Sequence, residues 1–198
     1  MTNEKKAIDI FGISCDSWTL RENGDYAVGD KFFNALTFQF VEMELSQSMT
    51  TSIKKLDIDF YEGVGKILII DKGPYAQTLL FDCGIYAYSY DILPKGIKSG
   101  SYVKMRFYLG FDDDDYFIRL TINGKYLCKT NPGMQYDWEI KDILVRAIVG
   151  KRGEKYFEDL PVAYVSPKGE IYKRIKKTQA RVDCGGLTNM YILLSEMK

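Results

Sequence analysis

SYVKMRFYLGFDDDDYFIRLTINGKYLCK, residues 101–129, is the stretch that decides the fold. From Ser101 to Leu109 the alternation is regular. Val103, Met105, Phe107 and Leu109 fall on one side, and Tyr102, Lys104, Arg106 and Tyr108 on the other. A period of two is the period of a strand, and one apolar side means one buried face. Tyr116, Ile118, Leu120 and Ile122 repeat the pattern, and Asn123-Gly124 follows. Both central residues of a type I′ turn need positive φ, so this dipeptide between alternating runs predicts a two-residue hairpin. Its register sets Ile122 opposite Lys125 and Thr121 opposite Tyr126.

The flanking sequence continues in the same grammar. Tyr86, Tyr88 and Tyr90 share one strand face, read as half-buried packing surface. Ala7–Ser14 is expected to be a first strand with a bulge at Gly12, and Glu22–Asp25 a turn. Leu36, Phe38 and Phe40 alternate before the apolar set slips to Val41, Met43 and Leu45, the mark of a β-bulge or of a bend where the strand crosses between sheets. Ser46–Ser52 is a loop, and Leu56, Ile58 and Phe60 another half-buried strand. Gly63-Val64-Gly65 is expected to turn the chain into a strand at Lys66–Ile70. Further on, Leu160–Val165, Glu170–Ile175, Ala180–Cys184 and Met190–Leu194 read as strands, with Ser166–Gly169 as a turn. One segment differs. Ile140, Ile143, Leu144, Ala147 and Ile148 recur at helical spacing, so 138–149 is expected to be a helix capped by Asp137 and ended by Gly150, with a strand as the alternative because DILVRAIV is rich in β-branched residues.

These elements predict a mostly-β fold, an antiparallel sandwich or partly open barrel with one helix. The 198 residues are read as a single compact domain with ample core. Asp82-Cys83-Gly84 is echoed by Asp183-Cys184-Gly185, which allows a duplicated pair of small β-units, about 1–98 and 99–198.

Composition narrows the function classes. Hydrophobic residues make up 46% and charged residues 27%, ordinary globular values. The formal net charge is zero, with 10 basic and 14 acidic residues in 1–99 against 17 and 13 in 100–198. That balance does not favour a protein built wholly for nucleic acid. No stretch reads as a signal peptide or membrane span, so the chain is expected to be cytoplasmic. Cys15, Cys83, Cys128 and Cys184 lack metal-ligand spacing and read as reduced core residues.

The sequence contains no histidine. Histidine-based triads and the commonest catalytic zinc ligand are therefore excluded. No phosphate-binding glycine motif is present either. Carboxylate catalysis remains open, and would need a close buried pair among Asp57, Asp59, Asp82, Asp112 and Asp115. The run Asp112, Asp113, Asp114 and Asp115 is a weak candidate for a hard cation. It lacks calcium-loop spacing, and successive strand residues point in opposite directions. The reading is of a protein without a cofactor.

Two binding surfaces are expected. Tyr102, Lys104, Arg106 and Tyr108 would form a patch for another protein if nothing covers that face, since tyrosine and arginine dominate interface hot spots. The acidic run beside it would steer a basic partner. This is the preferred reading: a non-catalytic protein-binding module, such as a bacterial immunity-type inhibitor or a phage or host assembly component. The alternative is single-stranded nucleic-acid binding through Lys173, Arg174, Lys176, Lys177 and Arg181, interleaved with tyrosines.

Overall fold

The structure is a computed structural model that describes residues 8–16, 19–20, 24–72, 77–111, 121–122, 125–126, 132–149, 155–179 and 191–198. Fifteen strands are present among them: β1 Phe11–Cys15, β2 Lys31–Leu45, β3 Ser52–Lys55, β4 Phe60–Lys72, β5 Gln77–Asp82, β6 Tyr86–Ser89, β7 Tyr102–Phe111, β8 Thr121–Ile122, β9 Lys125–Tyr126, β10 Gln135–Arg146, β11 Ile148–Val149, β12 Lys155–Tyr156, β13 Val162–Val165, β14 Ile171–Ile175 and β15 Tyr191–Met197. No helix among the described residues is long and apolar enough to cross a membrane.

Eleven strands form one mixed sheet in the order β13-β14-β10-β15-β1-β7-β2-β6-β5-β4-β3. Two extra pairings, β10 with β2 and β7 with β4, close eight of them into a ring. The ring is not a regular barrel, because β2 and β7 also pair with each other across it along Leu36–Leu45 and Val103–Phe111. Strands of the first half of the chain sit between strands of the second, as β1 does between β15 and β7.

The alternation of β7 is realised as read. Val103, Met105, Phe107 and Leu109 are buried in the main core, while Lys104 and Arg106 are exposed and Tyr102 and Tyr108 are half-exposed. Phe107 packs between Phe38 and Tyr61, with centroids 4.3 and 5.8 Å away. The bulge expected in β2 is present. Its register with β7 slips between Phe40 and Glu42, leaving Val41 unmatched and exposed. Ala87 faces the main core and Tyr88 a second cluster with Leu80, Ala35 and Met134. The hairpin register is also as read, Thr121 opposite Tyr126 and Ile122 opposite Lys125.

Four expectations are corrected. The helix at 138–149 is instead β10 followed by β11. The strand bulges between Ile140 and Asp142 where it pairs with β15, so Ile140 and Ile143 both face the main core. Leu144 belongs to a cluster on the other face with Tyr172 and Ile192. A strand buried on both faces and shifted by one residue imitates the spacing of a helix.

Gly12 lies in an unbroken register with β15 and marks no bulge. A Cβ there would stand 1.8 Å from the Ile58 carbonyl oxygen, so the residue is glycine because another backbone passes against it. Gly63-Val64-Gly65 is not a turn but the middle of β4, and a Cβ on Gly63 would lie 2.3 Å from the Ser52 carbonyl oxygen. The turn is instead at Leu56–Asp59, where a strand was expected; Leu56 and Asp57 both donate their amides to the Phe60 carbonyl.

Candidate functional site

The outer face of β4, β7 and β2 is organised by register. Arg106 stands between Glu62 of β4 and Glu42 of β2, and Lys104 between Val64 and Glu44. The Arg106 guanidinium lies 3.2 Å from Glu62 and 3.5 Å from Glu42. Outside Glu62, β3 contributes Lys54, so one row across four strands alternates in charge: Glu42, Arg106, Glu62, Lys54. The two tyrosines bracket the charges. Tyr102 lies under the Lys66 ammonium at 5.8 Å, and Tyr108 packs on Phe60 with centroids 4.9 Å apart. The Tyr108 hydroxyl also accepts from Lys168, at 3.4 Å, whose ammonium that contact holds above its ordinary pKa. All four residues proposed from the sequence therefore share one open face. Their glutamate neighbours were not identifiable from sequence, because strand register alone brings them beside Arg106.

Next to this face runs a seam of a different kind. β1 meets β7 through one parallel pair, Ser14 with Gly110. Side chains of the β3–β4 hairpin add further connections to β1. Lys55 donates to the Ile10 carbonyl at 3.0 Å, and Ser14 donates its hydroxyl to Asp59 at 2.9 Å. The Tyr61 hydroxyl accepts from the Gly12 amide at 2.7 Å and donates to the Gly12 carbonyl at 3.1 Å. Asp57 accepts from the Tyr164 hydroxyl. Lys55, Asp57, Asp59 and Tyr61 thus tie the β3–β4 hairpin to β1 and β13.

The electrostatics follow from this geometry. Burial holds the Asp59 carboxyl above its ordinary pKa, opposed by the Ser14 hydrogen bond and reinforced by nearby Asp57 and Glu170. Burial lowers Lys55, against the pull of Asp59 and Asp57. The bond to Asp57 pushes the Tyr164 phenol up to about 12. Burial pushes Tyr172 up as well, and its hydroxyl bonds Glu170, which pairs with Arg146 at 2.7 Å. Asp57 and Asp59 are thus brought into one neighbourhood, each already engaged by a hydroxyl. Asp82 is elsewhere, accepting from the Gly84 amide in its own turn.

The basic segment is divided by its strand. Lys173 is buried and donates to the carbonyls of Glu158 and Leu160, at 2.9 and 2.6 Å. Arg174 is paired with Asp142 at 2.7 Å. Lys176 and Lys177 are exposed, and Arg181 lies outside the described residues. So do Asp112, Asp113, Asp114 and Asp115, Cys128 and the second Asp-Cys-Gly. Cys15 and Cys83 are free and buried, and burial raises both thiols, Cys83 to about 12. Among the described residues, no group of three His, Cys, Asp or Glu is placed to hold a metal ion.

No protein family, no characterised protein and no solved structure matches the chain.

Proposed function

We propose that this chain is a non-catalytic, cytoplasmic protein-binding module that docks its partner on the outer face of β4, β7 and β2. Tyr102, Lys104, Arg106 and Tyr108 would make the central contacts. One observation carries the reading: Arg106, flanked by Glu42 and Glu62 and bracketed by two tyrosines, is open to solvent at the middle of the sheet. Exposed ion pairs contribute only about 0–1 kcal/mol, so a partner can exchange them for its own charges at little cost. The tyrosines offer rigid apolar area with a polar tip. The preferred form is an immunity-type inhibitor that covers a partner's active site, and an assembly component is next.

The engagement of Asp57 and Asp59 by Tyr164 and Ser14 supports a structural role for these carboxylates. The nucleic-acid alternative loses support, since Lys173 is buried and Arg174 is paired. The test is affinity capture from the native host with wild type and the Tyr102→Ala/Arg106→Ala/Tyr108→Ala variant. A stoichiometric partner held by the first and lost from the second, with the fold intact, is the expected result. An unchanged set of captured proteins overturns the assignment.

A further inference from the structure

A cleft of about 540 Å³ opens between the β11–β12 hairpin and the start of β14, and it shares no residue with the face proposed for the partner. Its apolar wall is Ala147, Ile148, Val149 and Ile171, of which Val149 and Ile171 are exposed. Tyr156 lines it as well. Beside Tyr156 the chain is held in a left-handed conformation at Phe157, φ 63°, whose ring packs on the main core. This backbone region is uncommon for any residue but glycine.

Among the described residues that line the cleft, three cations, Arg146, Lys155 and Lys173, face two carboxylates, Glu158 and Glu170. Arg146 pairs with Glu170 and Lys155 with Glu158, both at 2.7 Å. Lys173 remains. It is 7% exposed, lines the cleft, and spends two of its three donors on main-chain carbonyls. Among the described residues no carboxylate forms an ion pair with it. A buried ammonium without a counter-ion is costly, and an incoming anion relieves that cost.

We propose that this cleft binds a small organic monocarboxylate with an apolar body. The carboxylate would meet the remaining donor of Lys173, and the chain or ring would lie on Ile148, Val149 and Ile171. A single point charge beside an apolar wall suits one carboxylate better than a multiply charged phosphate, which requires several donors.

The test is calorimetric titration of the full chain with sodium decanoate below its micellar range, with 1-decanol and inorganic phosphate as comparison ligands. Saturable binding of one decanoate, with decanol much weaker and phosphate silent, is expected. Absence of saturable decanoate binding overturns the proposal, as does equal affinity for decanol or for phosphate. Lys173→Met is expected to weaken decanoate roughly tenfold or more, the effect of losing a charged hydrogen bond, and to leave decanol unchanged. Should that variant lose its fold, Ile171→Glu decides, since this side chain is already 41% exposed. Its binding of decanoate should vanish with the circular dichroism unaltered, and retained binding refutes the site.

Discussion

The β2–β7 pair, which crosses the ring, and the β1 seam, which lies within it, make their connections by opposite means. Between β2 and β7 a continuous backbone ladder carries the connection, interrupted only at the Val41 bulge. At β1 a single parallel pair remains, and Lys55, Asp59 and Tyr61 replace the missing rungs with side chains. A backbone ladder depends little on which side chains flank it. A side-chain seam depends on residue identity, on close approach and on protonation. The outer face of the centre is therefore expected to tolerate substitution better than the seam.

Substitution of Gly12 tests this difference most severely. A Cβ meeting the Ile58 carbonyl at 1.8 Å must displace backbone, so Gly12→Ala is expected to lose more than about 4 kcal/mol in chemical denaturation. A loss below about 1 kcal/mol, the level of an ordinary surface change, would show the seam to be loose.

Tyr61→Phe keeps the ring and removes the hydroxyl that serves both the amide and the carbonyl of Gly12. Two buried polar groups are left without that partner, at about 1–3 kcal/mol each, and urea midpoints measure the sum.

Asp59→Asn separates the two regions by pH. Burial raises Asp59, so the folded protein binds that proton more tightly than the unfolded chain. The stability it contributes is full below the unfolded pKa of about 4 and is lost as pH rises through the folded value. The variant should therefore gain on wild type as pH increases from about 4 towards neutrality. A constant difference across that range would remove Asp59 as the source.

The smallest effect belongs to the centre. Glu62→Gln breaks one of two exposed contacts to Arg106 and should cost less than about 1 kcal/mol, diminishing further in salt.

The same contrast explains what the sequence revealed. β7 was legible because one of its faces is solvated, so alternation reports orientation directly. The slip at Phe40 and Val41 announced a bulge for the same reason. β10 was not legible, since Ile143, Leu144 and Val145 are all buried and the shift after Ile140 disguises the strand period. Gly63 and Gly65 read as punctuation because sequence does not distinguish a glycine needed for turning from one needed for proximity. The four-residue patch on β7 followed from alternation, but the glutamates beside it required the register. Lys173 looked like part of a basic stripe. Its strand turns it inward to carbonyls that lie more than ten residues earlier in the chain.

The pairing of β1 with β15 also sets a timetable for synthesis. Phe11 bonds opposite Ser195 and Cys15 opposite Tyr191. At about 5–20 residues per second, the partner of β1 leaves the ribosome roughly ten to forty seconds after β1 itself. For that interval Phe11 and Ile13 have an incomplete sheet around them, and the ring can close only after translation has passed Met197. Closure is thus a late event between distant segments, the slow class of folding step, and the waiting strand is what a nascent-chain chaperone would find exposed.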